Sequence, residues 1–262
     1  MGTFETEMKR AYSEALAPYG FKKLKGRYPY FVRMVGEEIL QVITYYNEWA
    51  MNPRRTFCMV CGMATVYRGE IDLESSPRDN TSWRQPYREI YMDSHPFCSR
   101  EDVPKYSFEY EMPDEPSAQK FPREVIPYPL PSMQEAIEHT LDLKKQEIIP
   151  VFDTVTDLKT CAKYFHKYDS LCMRMDERSP FDWVLNYREQ LFNLKVYNNV
   201  DEFSATRLEI YGEETMPSEG LQKQTALFER LLNDPDIHAK ALAELERRRQ
   251  RNTETLRKYG LL

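Results

Sequence analysis

YPYFVRMVGEEILQVITYYNEWAMNPRRTFCMVCGMATVY, residues Tyr28 to Tyr67, is the stretch on which the fold turns. It holds three runs rich in β-branched and aromatic residues: Tyr28 to Val35, Ile39 to Tyr46 and Thr56 to Tyr67. Such residues fit a pleated, half-buried surface, so each run reads as a strand. Gly36-Glu37-Glu38 separates the first two and Asn52-Pro53 breaks the pattern before the third. Connections this short make the strands neighbours and antiparallel. Upstream, Phe4, Met8, Ala11, Tyr12, Ala15 and Leu16 recur at helical spacing. Thr3 supplies an N-cap, and Pro18 with Gly20 ends the helix before an extended segment from Gly20 to Leu24. The N-terminal quarter is therefore a helix followed by an antiparallel meander.

Beyond Arg68 this regularity is lost. Ten of the 17 prolines fall between residues 77 and 131, and short strands are predicted near Tyr87–Met92 and Tyr106–Met112. Nine aromatic residues in the same stretch argue against full disorder. From Ser132 the chain reads as helical. Ser132 and Glu135 form a capping box, and Met133, Ile137, Thr140, Leu141, Lys144 and Ile148 trace one face. Pro150 interrupts this helix. Thr156-Asp157 restarts one through Leu158, Cys161, Ala162 and Phe165. Further helices are predicted at Trp183–Tyr197, Ser204–Tyr211 and Leu221–Leu232, and a last one runs from Asp234-Pro235 to Lys258, ended by Gly260. The predicted class is α+β: an antiparallel sheet of four or more strands with an N-terminal helix and a helical C-terminal half. We read residues 1–262 as one domain with a proline-rich insertion at about 69–131. The alternative is an α+β unit over 1–131 and a helical unit over 132–262.

Composition removes several function classes. The 262 residues include only nine glycines, about half of average usage, and no two lie closer than Gly20 and Gly26. Glycine-rich phosphate loops and nucleophile elbows are therefore missing. The net charge of −6 disfavours wholesale nucleic-acid binding. Charge is uneven: residues 1–68 carry 10 basic and 6 acidic side chains, and residues 69–131 carry 7 and 13. Five irregularly spaced cysteines favour reduced thiols in a cytoplasmic protein over a disulfide framework. No apolar run is long enough to cross a membrane, and the N-terminus lacks the apolar core of a signal peptide.

The constellations that carry chemistry are sparse. Cys58 and Cys61, with His95 and Cys98, have the residue types of a zinc site, but residues three apart on a strand face opposite ways, so no metal is expected. Glu135, His139 and Asp142 share a helix face opposite the apolar stripe, which places them in solvent. Cys161 belongs to an apolar stripe and reads as a core thiol, five residues from His166. Arg247, Arg248, Arg249 and Arg251 form a basic cluster on the last helix, and docking against the acidic middle accounts for it more simply than nucleic acid. Tyr45, Tyr46, Trp49, Arg54 and Arg55 crowd one end of two adjacent strands. Aromatic residues beside arginines are the composition of protein-binding hot spots, and also of a strand end that packs its rings on the first helix. These five are the candidate binding residues.

The order of segments resembles a loose group of uncharacterised bacterial proteins, some of them immunity-like. The residues that carry the resemblance are the first helix, Gly20-Phe21-Lys22-Lys23, the strands at Tyr28–Arg33, Ile39–Ile43 and Cys58–Tyr67, Ile148 to Asp153, and Thr156 to Leu158. The resemblance implies no catalytic residues and no cofactor. The expected function is a non-enzymatic protein-binding module whose partner is another protein. The alternative is an enzyme whose site uses one of His95, His139 or His166.

Overall fold

The computed structural model describes residues 3–51, 53–67, 69–77, 105–109, 128–173, 190–211 and 218–262. The sheet is a five-stranded antiparallel meander in chain order: β1 Lys22–Lys23, β2 Phe31–Val35, β3 Ile39–Met51, β4 Arg54–Thr65 and β5 Lys105–Glu109. β3 runs past its predicted end at Tyr46 to Met51, and β4 starts earlier, at Arg54. The two form one long hairpin that turns at Pro53, with a bulge between Asn47 and Trp49. That bulge breaks the period-two alternation, which is why the sequence pattern fades after Tyr46. β5 corresponds to the strand predicted near Tyr106–Met112. The strand predicted at Tyr87–Met92 lies outside the described residues.

Alternation and register put Phe31, Ile43, Tyr45, Phe57, Met59, Tyr106 and Phe108 on one sheet face. Helix α1, Phe4–Leu16, buries Phe4, Met8, Tyr12 and Leu16 against it, at the four-residue spacing that makes a single helical stripe. The Phe4 ring lies 4.9 Å from Phe108, 5.0 Å from Phe57 and 5.8 Å from Tyr45. Helix α2, Met133–Leu143, opens with the predicted capping box of Ser132 and Glu135 and packs on α1 and β5. Lys144–Ile148 then widens into a π-helical turn, and α3, Ile149–Asp153, follows without a break. Pro150 does not interrupt the helix as expected. It stands in the first turn of α3, where no backbone donor is needed.

Arg33 ties α3 to the sheet. Its Nε donates to Gln41 Oε1 and its Nη2 to Asp153 Oδ1, both at 2.5 Å, and its Nη1 donates to the Tyr19 carbonyl at 2.9 Å. Gln41, wholly buried, donates to the Phe152 carbonyl at 2.8 Å. The opposite sheet face is buried too: Val32, Leu40, Val42, Thr44, Cys58, Val60 and Ala64 are all closed to solvent.

The remaining helices are α4 Leu158–Met173, α5 Val200–Tyr211, α6 Ser218–Asn233 and α7 Pro235–Lys258, with a further helical stretch at 190–196. α4, α5, α6 and α7 pack in sequence, each on the next. Phe203 of α5 meets Phe228 of α6 at 4.5 Å, with Tyr197 at 5.5 Å from Phe203. Gly260, at φ 66°, ends α7 in the left-handed region that favours glycine.

α7 docks on the segment after β4 through two buried side chains, Asn252 and Arg248, whose Nη1 donates to the Tyr67 carbonyl at 3.5 Å. Asn252 Nδ2 donates to the carbonyls of Val66 (2.9 Å) and Gly69 (2.8 Å), and its Oδ1 accepts from the Ile71 amide (3.0 Å). Around it, Arg251 approaches Glu70 at 4.0 Å, and Lys258 pairs with Glu74 at 2.5 Å. Tyr30 reaches the same segment from the sheet side, donating to the Ser75 carbonyl at 2.9 Å. No helix among the described residues is long and apolar enough to cross a membrane.

Candidate functional site

The five candidate residues meet at the far end of the β3–β4 hairpin, where the structure divides them. Arg55 turns inward. Its Nη2 donates to Glu5 Oε1 at 2.5 Å, and its guanidinium lies 5.2 Å from the Phe4 ring centre. Asn47 Nδ2 donates to the same carboxylate oxygen at 3.0 Å. The first turn of α1 is therefore clamped to the hairpin across about fifty residues of chain. Tyr45 is also inward, only 2% exposed, with its ring edge on Phe4. Burial of the phenol, reinforced by the nearby Glu5 charge, raises its pKa well above the usual tyrosine range. Tyr46 and Arg54 are half-buried and Asn47 is exposed. Trp49 belongs to β3, but its side chain lies outside the described residues.

Burial alone would raise the Glu5 pKa. Its own backbone amide, the Arg55 charge and the Asn47 amide outweigh that and hold it below the usual glutamate range. A carboxylate with a depressed folded-state pKa stabilises the fold above its unfolded pKa, and that stability is lost as pH falls through the folded value. Acid titration of the wild type and of Glu5→Gln therefore gives stability curves that converge below about pH 4 and separate above it. Curves that stay parallel across that window would contradict the clamp.

The sheet is staggered at this end. β2 pairs with β3 only along Ile39–Ile43, and β5 pairs with β4 only along Arg54–Cys58. From Thr44 to Met51 no strand among the described residues lies on the outer side of β3. Thr44 and Tyr45 are nonetheless closed to solvent, Tyr46 is half-buried and Asn47 is exposed. An unpaired stretch of strand presents backbone donors and acceptors outward.

The other constellations do not converge. Cys58, Cys61 and Cys161 are buried, and the first two face opposite sides of β4. His95 and Cys98 lie outside the described residues. Among the described residues no three metal-ligating side chains gather. Glu135, His139 and Asp142 are all exposed, with Glu135 engaged at its cap on the Ser132 amide at 2.7 Å. His238 Nδ1 lies 2.9 Å from the Leu231 carbonyl, and the His166 side chain is outside the described residues. Arg247 and Arg248 pair with Glu244 at 2.7 and 2.8 Å and Arg249 with Glu246 at 3.2 Å, all within α7, whereas Arg251 approaches Glu70 of the segment after β4 at 4.0 Å.

Compared with protein-family models, curated proteins and solved structures, the chain matches none. One group escaped the search for motifs. Lys144 lies in the buried stripe of α2 and its π turn, beside Tyr106. The signal was present: a lysine at an apolar position of a helix whose phase the capping box sets.

Proposed function

We propose that this chain is a non-enzymatic protein-binding module, of the immunity type that the resemblance implies. Its contact surface is the far end of the β3–β4 hairpin, acting in the bacterial cytoplasm. The observation that supports this reading is the staggered sheet: beyond Ile43 the outer side of β3 has no neighbouring strand among the described residues. Half-buried Tyr46 and Arg54 flank that edge, and exposed Asn47 stands on it. Backbone groups of an edge strand give a partner affinity, and flanking aromatic and arginine side chains give it specificity. Tyr45 and Arg55 have a different part in this reading. They hold the hairpin rigid against α1, and a preorganised surface binds with less ordering cost. The buried thiols of Cys58, Cys61 and Cys161 suit a reducing compartment.

A photo-crosslinking residue in place of Asn47, expressed in the source cells, tests it. The expected result is one covalent protein adduct at position 47 and none from the same residue at exposed Glu254 on α7. Equal labelling at the two positions, or none at either, would overturn the reading.

A further inference from the structure

Lys144 is the odd group in this molecule, and it lies apart from the hairpin surface. It is 7% exposed, a degree of burial that lysine rarely reaches without a partner. No carboxylate pairs with it among the described residues; Asp142, two residues earlier, approaches Lys145 instead, at 4.0 Å. Thr140, one turn earlier, donates to the Ile137 carbonyl at 2.9 Å. What faces the ammonium is the Tyr106 ring, whose centre is 6.0 Å from Nζ. His139 contacts the same ring from the side, with ring centres 6.2 Å apart.

Backbone geometry supplies a second, separate observation. Lys144 opens the π-helical turn Lys144–Ile148. Such turns are rare and recur at functional sites. Lys144 follows directly on α2, which packs on β5, and its side chain reaches the Tyr106 ring of that strand. The stem is buried, and the ammonium at its tip is left to solvent at the mouth of the seam between α2 and β5. Tyr106 is half-buried and His139 exposed, so the seam is approachable from solvent on that side.

We propose that Lys144, Tyr106 and His139 form a binding site for an oxyanion group, with the Lys144 ammonium as its charge. Lysine acts there as a compact point charge, suited to phosphate or to a single carboxylate. The group approaches past His139 and is held against the edge of Tyr106.

Inorganic phosphate and acetate are the probes, each titrated into the full chain with binding followed by calorimetry. Saturable binding of either supports the site, and the one that saturates at lower concentration identifies the phosphate-type or carboxylate-type source. Lys144→Met, which keeps the apolar stem, weakens that binding by about tenfold or more, and Lys144→Arg retains it. Mass-spectrometric footprinting with an acetylating reagent needs no variant. Saturating probe shields Lys144 in the wild type and leaves exposed Lys223 unchanged. No binding of either anion, binding unaltered in Lys144→Met, or labelling of Lys144 indifferent to the anion would each overturn the proposal. All of these outcomes are independent of crosslinking at Asn47, so this site and the hairpin surface stand or fall separately.

Discussion

Replacing Asn252 by leucine lowers the folding free energy by about 3–5 kcal/mol, among the largest effects of any single change outside the apolar core. The residue is fully buried on α7 and makes three hydrogen bonds to backbone, at Val66, Gly69 and Ile71. Leucine is close in size, so no cavity opens. What it leaves behind are two carbonyls and one amide out of water and without partners, each costing about 1–3 kcal/mol and not fully additive. Denaturant titration reads the loss as a shift of midpoint at constant slope. A loss below about 1 kcal/mol would mean that the 66–71 segment rehydrates when Asn252 is gone. The neighbouring exposed pair Lys258–Glu74 is the internal control. Both partners are about two-thirds exposed, and Lys258→Ala leaves the unfolding midpoint in place.

Phe4→Ala is the second large effect, about 3–5 kcal/mol, and it acts through a cavity instead of orphaned polar groups. Phe4 is 3% exposed, with its ring against those of Tyr45, Phe57 and Phe108 and beneath the Arg55 guanidinium. Truncation removes the ring that joins α1 to three strands. It also takes away the aromatic face under Arg55, a contact of about 0.5–2 kcal/mol. Hydrogen exchange distinguishes this change from Asn252→Leu. Phe4→Ala exposes the amides of α1 first, whereas Asn252→Leu exposes those of α7. Simultaneous loss of protection in both helices for both variants would show that the chain opens as a single unit.

How much was legible in the sequence varies with the reach of the interaction. The helix at Phe4–Leu16, the meander and the Ser132 capping box are local patterns, and the structure carries all three. β3 was cut short at Tyr46 because a bulge between Asn47 and Trp49 interrupts the alternation that reveals a strand. Pro150 looked like a helix breaker because a preceding π turn, which leaves no compositional mark, lets it open a new helical segment. Arg55 looked like surface because Glu5, fifty residues upstream, reads only as a first-turn acid on α1. Asn252, directly after Arg251, gives no sign in the sequence of its buried place. Its three bonds lie with a segment that carries no pattern of its own.

The bonds of Asn252 also bear on the order in which the chain folds. β1 to β4 pair between neighbours in sequence and need close only short loops. The contacts of Asn252 span 181 to 186 residues. Long-range closures carry their entropic cost before they gain any contact, so they form late and set the pace. The meander and α1 then assemble early, and the seating of α7 on the 66–71 segment is the slow, closing step. In a stopped-flow experiment, Asn252→Leu accelerates unfolding and leaves the refolding rate nearly unchanged.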